Sequence, residues 1–287
     1  MSLLQVAILA IVQGLTELLP VSSSAHVVVA EKLMGLDPSS PPMTLLLVML
    51  HTGTMFAVIV YFWQQWRRTY FENIAAFKKF AVSVVLATAL TGVIGEASIK
   101  IIERTAFKSS PKAEIEDLFS HLELIAPALA IVGILIVIAG IAERRNLVGP
   151  SETKDLSVRQ ASLIGAVQGF CLPFRGFSRS GATVSTGLLA GVPKMRAEAF
   201  SFALAVVLTP PVVGREALRL IRAEHSSAAG LGSALWPSLL GAFFAFLAGL
   251  LALKWLSRWL ENGRWYLFGA YCGFAAIVIA VLHHAGY

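Results

Sequence analysis

Six stretches of this sequence are long and apolar enough to cross a lipid bilayer as helices. They are 43–63 (MTLLLVMLHTGTMFAVIVYFW), 80–95, 124–142, 198–214, 236–253 and 266–282. About 20 apolar residues cover a hydrocarbon core roughly 30 Å thick. The 80–95 and 198–214 stretches are slightly short, which leaves their ends undefined. Backbone groups in lipid must pair within their own segment, so helices are the only option for such spans. Charge agrees: 14% of the 287 residues are charged, where a soluble domain is nearer about a quarter. The fold expected is an all-α integral membrane bundle, one domain over 1–287, with about six full spans. A cleavable signal is not expected, because a basic leading region and a small-residue cleavage site are both missing. Cys171 and Cys272 lie far apart in apolar contexts. Neither a disulfide nor a metal-ligand spacing follows from them.

The polar connections alternate in charge. Arg67, Arg68, Lys78 and Lys79 fall in one, and Arg144, Arg145, Lys154 and Arg159 in another. Lys194 with Arg196, and Lys254, Arg258 and Arg264, fall in two more. The connections between these, 96–123 and 215–235, are poorer in Lys/Arg and richer in acids such as Glu114, Glu116 and Asp117. The positive-inside rule makes the basic set cytoplasmic and both termini periplasmic. The net charge of +6 thus reads as topology and contact with membrane lipids. No basic stripe interleaved with exposed aromatics is present, so nucleic acid is not an expected partner. Trp63, Trp66, Trp236, Trp255, Trp259 and Trp265 lie near span ends, as interfacial aromatics do.

Two apolar segments fit no simple span: 1–35, broken at Pro20, and 160–192, broken around 173–180. The tripeptide Val12-Gln13-Gly14 recurs as Val167-Gln168-Gly169. Carried forward without a gap, that offset places Ser23 on Ser178. Each copy is a helix, a break, a serine-rich turn and a second apolar helix ending in glycine, and three spans follow each. An odd number of spans per half inverts one half relative to the other. The expected plan is two inverted repeats, 1–142 and 157–287, each opening with a re-entrant helical hairpin.

The breaks have a physical use. Pro20 lacks an N–H and disfavours helix at Leu19, and Ser22, Ser23 or Ser24 can cap the helix that follows. Gly176, Ser178, Ser180, Gly181 and Thr183 do the same in the second copy. Two helix N-termini aimed at one spot suit a phosphate, and Arg179 adds a planar fork matched to its oxygens. Gln13 and Glu17 share a helix face. Ser23 and His26 are i,i+3, so the imidazole is expected to approach the Ser23 hydroxyl. Hydroxyl, imidazole and carboxylate are the parts of an activated nucleophile with its base and orienter.

The stretch QGLTELLPVSSSAH (Gln13–His26) and the stretch GFSRSGATVSTGLLAG (Gly176–Gly191) resemble the two signature motifs of the undecaprenyl pyrophosphate phosphatase family. Residues 50–63 and 196–214 resemble its less distinctive regions, so the likeness covers nearly the whole chain. The resemblance implies a bacterial inner-membrane enzyme that recycles the polyprenyl carrier of cell-wall synthesis. It implies an interlocked helical fold, a site opening toward the periplasm, and dependence on a divalent cation, Mg or Ca. By that likeness the family's acidic pair falls on Gln13 and Glu17, where the cation would sit. Its catalytic serine falls on Ser23 and its histidine on His26; its phosphate-binding serine and arginine fall on Ser178 and Arg179.

Three departures stand out. Gln13 replaces a usual Glu and removes a charge, Ala25 replaces a usual Gly, and Phe174-Arg175 extends a Pro-Gly junction. Arg175 is either a second phosphate contact or a loop charge reaching out of the apolar phase, and the latter is favoured. Ser22 and Ser24 read as caps more than catalysts, and Thr183 as a cap or a phosphate donor. His51 and Thr52 lie within a span, where they line a pocket or simply pack.

Competing signatures fail. A cysteine phosphatase would need Arg at position 177, which is Phe177. An acid-phosphatase-like lipid phosphatase would need His at 185, which is Ser185. No Walker-type glycine loop occurs. The function expected is hydrolysis of undecaprenyl pyrophosphate, with the polyprenyl lipid as substrate and Ser23 or His26 or a water as the attacking group. A flippase of polyprenyl phosphate is the alternative, since it would use the same anion site. A homodimer is a partner state the sequence leaves open.

Overall fold

The computed structural model describes residues 1–37, 40–106, 122–145, 156–224 and 231–285. These residues form ten α-helices and no strand. They are α1 (Leu3–Leu18), α2 (Ser23–Leu33), α3 (Pro41–Thr69), α4 (Ile74–Ala106) and α5 (Leu122–Arg144). The second half supplies α6 (Val158–Cys171), α7 (Arg179–Leu189), α8 (Lys194–Glu224), α9 (Leu231–Glu261) and α10 (Tyr266–His284).

Six of these helices, α3, α4, α5, α8, α9 and α10, are long and apolar enough to cross a membrane. Each expected span falls inside one of them. The two short stretches lie inside the long helices α4 and α8, and Pro210 and Pro211 are taken up within α8 without ending it. The remaining four helices are short. At 16 and 11 residues, α1 and α2 reach only about 24 and 17 Å. At 14 and 11 residues, α6 and α7 are shorter still as a pair. None of the four would cross an apolar layer alone.

Small residues seat the short helices in the bundle. A Cβ on Gly14 would lie 2.6 Å from Ala248 Cβ and 2.7 Å from the Ala245 carbonyl oxygen, so α1 lies directly against α9. A Cβ on Gly169 would lie 2.7 Å from the Thr91 carbonyl oxygen, so α6 lies against α4 in the same manner. These are the two glycines of the repeated Val-Gln-Gly. Close backbone approach through small residues is how helices associate in an apolar medium, where burial in lipid adds little.

The basic helix ends gather at one end of the bundle. Lys194 Nζ pairs with Glu143 Oε1 at 2.6 Å and donates to the Glu261 carbonyl at 3.3 Å. Gln65 Nε2 donates to the Met195 carbonyl at 3.0 Å, and the Arg144 guanidinium lies over the Tyr266 ring. The topology residues Lys154, Glu114, Glu116 and Asp117 lie outside the described residues.

The interfacial reading of the tryptophans needs correction at two positions. Trp63, Trp236 and Trp255 are exposed, but Trp66 and Trp265 are buried. Trp265 Nε1 donates to Ser185 Oγ at 2.9 Å, and Trp66 Nε1 to the Ala199 carbonyl at 3.1 Å. An indole N–H at a span end found an internal acceptor, which sequence position alone does not reveal. Both cysteines are buried and free; Cys272 Sγ donates to the Pro20 carbonyl at 3.3 Å, beneath the first hairpin tip.

Candidate active site

The first hairpin turns where the sequence forces it. Leu19, ahead of Pro20, is extended at φ −68° and ψ 147°, and α1 stops one residue earlier. Ser22 then takes φ +66°, and it is the one non-glycine residue with positive φ among those described. Such a backbone is costly without a surrounding structure that holds it, and it is characteristic of functional turns. Its consequence is local: Ser22 makes no side-chain cap, so no side chain covers the first backbone N–H groups of α2.

The second hairpin turns on Gly176, at φ +97°. A Cβ there would sit 2.5 Å from the Ile125 carbonyl oxygen, so both conformation and space require glycine. Ser178 caps α7, its Oγ accepting from Gly181 N at 3.2 Å.

The two tips interlock. Gly176 N donates to Ser24 Oγ at 3.4 Å, and Ser180 Oγ donates to the Leu19 carbonyl at 3.4 Å. This contact brings the first residue of α7 onto the last turn of α1. Arg179 Nη2 reaches Glu17 Oε1 at 3.2 Å. On the other oxygen, Glu17 Oε2 accepts from Ser23 Oγ at 2.5 Å and from Gln13 Nε2 at 3.2 Å. Glu17 is therefore the hub, with a cation on one oxygen and a hydroxyl on the other. The Glu17 and Arg179 side chains are 17% and 23% exposed, enough for a headgroup to reach them from an otherwise apolar interior.

His26 does not pair with Ser23, contrary to the expectation from their spacing. Its Nδ1 lies 2.8 Å from the Ser22 carbonyl, four residues back. A carbonyl only accepts, so Nδ1 carries the proton and Nε2 of the neutral ring is the basic nitrogen. That nitrogen accepts from the Tyr271 hydroxyl at 2.8 Å, with the two rings stacked at 5.7 Å between centroids. The Ser23 hydroxyl is left to Glu17.

Other expected residues sort by distance from this hub. Thr183 is fully buried, its hydroxyl bonded to the Arg179 carbonyl at 2.8 Å and to Ser201 Oγ at 2.6 Å. These bonds tie α7 to α8 and engage its hydroxyl inside the protein. Ser178 and Gly181 are buried within the α7 cap. Ser22 and Ser24 contact each other at 3.2 Å between hydroxyls. Arg175 is exposed, and the acid its charge acts on is Glu31 of α2.

Sequence reasoning missed Tyr271 and left His51 undecided. His51 Nε2 stands 3.8 Å from Glu17 Oε2, and its Nδ1 donates to the Leu47 carbonyl at 2.8 Å. A mid-span hydroxyl on α10 was the available signal for Tyr271, but nothing in sequence joins it to a histidine 245 residues away.

The expected pairing of Gln13 with Glu17 as cation ligands does not fit. Gln13 presents an N–H donor to the carboxylate, and Arg179 occupies its other oxygen. Among the described residues no three His, Cys, Asp or Glu side chains form a cage.

What the arrangement can do is bind and split a phosphoric anhydride. A hydroxyl hydrogen-bonded to a carboxylate is a nucleophile with its proton acceptor in place. A guanidinium and uncapped helix N–H groups beside it match the oxygens of a phosphoryl group.

Comparison with known proteins gives the family. The family described as Bacitracin resistance protein BacA matches residues 6–278. Undecaprenyl-diphosphatase 2 of Acinetobacter baylyi is 57% identical over 286 residues, covering 98% of each chain. Undecaprenyl-diphosphatase of Halothermothrix orenii is 30% identical over 287 residues, covering 98% of each. Undecaprenyl-diphosphatase 2 of Burkholderia thailandensis is 32% identical over 288 residues, covering 96% of this chain and 95% of its own. Family match, near-complete coverage of these relatives and the two interlocked motifs agree: the chain belongs to the bacitracin resistance protein BacA family.

Proposed function

We propose that this multi-pass membrane protein hydrolyses undecaprenyl pyrophosphate to undecaprenyl phosphate and inorganic phosphate. The observation that carries the reading is Ser23 Oγ held 2.5 Å from Glu17, with Arg179 on the same carboxylate. The names of the relatives supply the substrate.

In this reading the terminal phosphoryl group enters beside Arg179 and the N-termini of α2 and α7. Ser23 Oγ attacks the terminal phosphorus, and Glu17 takes the hydroxyl proton. The P–O bond to the bridging oxygen breaks, and undecaprenyl phosphate leaves with the bond pair. Water then attacks the phosphoserine; His26 Nε2, once Tyr271 yields it, accepts the water proton. Ser23 departs from phosphorus and recovers its proton from Glu17. Arg179 holds the charge that spreads over the equatorial oxygens, as phosphoryl transfer requires.

The two hairpins are re-entrant, and the halves 1–142 and 157–287 are inverted copies; the matched seating of Gly14 and Gly169 supports this. The enzyme resides in the bacterial inner membrane with the Glu17 cleft toward the periplasm. The basic helix ends support that orientation: His51 stands 18 residues before Thr69 on α3, about 27 Å away along the axis. No observation favours a flippase of polyprenyl phosphate.

The test is phosphate release from undecaprenyl pyrophosphate by the purified protein in detergent. Release with no membrane to cross supports the reading. Lipid binding without any release refutes it.

A further inference from the structure

A cavity of about 380 Å³ opens between the end of α3 and the first turns of α4 and α8. It lies at the end of the bundle where the basic helix ends gather, and it shares no residue with the Glu17 site. Two cations line it, Lys79 of α4 and Arg196 of α8, together with Thr69, the last residue of α3. No Asp or Glu among the described residues lines it. Arg196 is half-buried, with its guanidinium 5.9 Å from the Tyr70 ring centroid. Among the described residues no carboxylate forms an ion pair with it. A guanidinium partly withdrawn from water without a counter-charge is costly, so such a cavity favours an anion.

The rest of the lining says which anion. Phe80 and Phe200 form apolar walls, and Phe80 stacks on Tyr70 at 4.1 Å between centroids. From Phe80 the ring contacts run outward to Phe71, and from Phe71 to Phe77 and Trp63. Phe71, Phe77 and Trp63 are exposed. Aromatic rings at a span end sit at the headgroup level of a bilayer, and basic pockets between helices there take lipid headgroups. A small soluble anion would need the cations but not this apolar rim.

We infer that this cavity binds the phosphate of an anionic phospholipid, with the acyl chains running out past Phe71, Phe77 and Trp63. The Arg196 fork holds the phosphate oxygens and Lys79 adds charge. A zwitterionic lipid carries the same phosphate, but its ammonium would meet two cations with no acid of the cavity to pair with. The bound lipid bridges α3 and α4 to α8, so it stabilises the folded bundle by mass action. The inference goes beyond the reaction at Glu17 and does not depend on it.

The test is native mass spectrometry of the delipidated full-length protein in detergent, titrated with phosphatidylglycerol, phosphatidylcholine or inorganic phosphate. Wild type should bind one phosphatidylglycerol at least about tenfold more tightly than phosphatidylcholine, the scale of one charge-assisted hydrogen bond. Its melting temperature should rise with phosphatidylglycerol and not with inorganic phosphate. Arg196→Gln should lose the preference and the rise. Lys79→Gln, which changes an exposed side chain and leaves the packing alone, should weaken phosphatidylglycerol binding about fivefold. Lys254→Gln, which removes an exposed cation of α9 outside the cavity, should bind as wild type does. Equal affinity for the two lipids would overturn the inference, as would unchanged phosphatidylglycerol affinity in Lys79→Gln and Arg196→Gln. An equal loss in Lys254→Gln would reduce the effect to general charge attraction. Displacement of the lipid by inorganic phosphate at matched concentration would make the cavity a small-anion site and overturn the lipid assignment.

Discussion

Replacing Arg179 with Lys separates a planar fork from a point charge. Arg179 begins α7, and one guanidinium nitrogen, Nη2, is engaged 3.2 Å from Glu17 Oε1. The rest of the fork is available to phosphate oxygens. Lysine keeps the charge but cannot make two parallel bonds to one phosphoryl group. The loss is about one charge-assisted hydrogen bond, roughly 1.5–3 kcal/mol. At about 1.4 kcal/mol per decade, that is a 10- to 150-fold fall in rate. Preorganised donors in a water-poor site extend the upper end to about a thousandfold. Because charge builds on those oxygens during transfer, kcat should fall by about 10- to 1000-fold with a smaller change in KM. Arg179→Ala should be worse, since it also strips the cation from Glu17. Steady-state phosphate release, with helix content followed by circular dichroism, measures both. A Lys variant with wild-type kcat would refute the fork and leave Arg179 as a point charge.

Three further outcomes follow from other contacts. Tyr271→Phe removes the hydroxyl that must yield His26 Nε2 before it takes the water proton; a neutral hydrogen bond contributes about 0.5–1.5 kcal/mol, so breakdown of the phosphoserine should quicken by about 2- to 12-fold, and an unchanged rate of that step would remove Tyr271 from the site. Thr183→Val leaves the buried Ser201 hydroxyl without its partner, so thermal stability should drop by about 1–3 kcal/mol with KM unchanged; a raised KM would return Thr183 to phosphate binding. Cysteines introduced at 72 and 262 should resist a membrane-impermeant thiol reagent in intact cells, and strong labelling of both would invert the topology.

The span count was legible because lipid imposes one length on every crossing helix. The hairpins were legible for a different reason: Pro20 and Gly176 break an apolar run where nothing else would. Residues joined through one hairpin or between the two motifs, Glu17, Ser23 and Arg179, could be grouped before any coordinates. What sequence could not supply was direction. His26 and His51 both bond the carbonyl four residues back; this choice, made by helix geometry, turns the Nε2 of His26 away from Ser23, the neighbour that spacing suggests, and leaves the Nε2 of His51 facing Glu17. Ser22 at positive φ then hands the Ser23 hydroxyl to Glu17. Tyr271 and His51 enter from helices with no motif of their own. Thr183 and Trp265 show the converse: a polar group beside a motif or at a span end is paired inside the protein, with Ser201 and Ser185.

The central claim is that Ser23 attacks phosphorus while Glu17 receives its proton. Rapid quench of the purified enzyme with undecaprenyl pyrophosphate labelled in the terminal phosphate tests it most directly. The account predicts a labelled phosphoserine at Ser23 that forms before phosphate is released, and that is absent in both Ser23→Ala and Glu17→Gln. Full turnover by Ser23→Ala, with no labelled protein in the wild type, would contradict it.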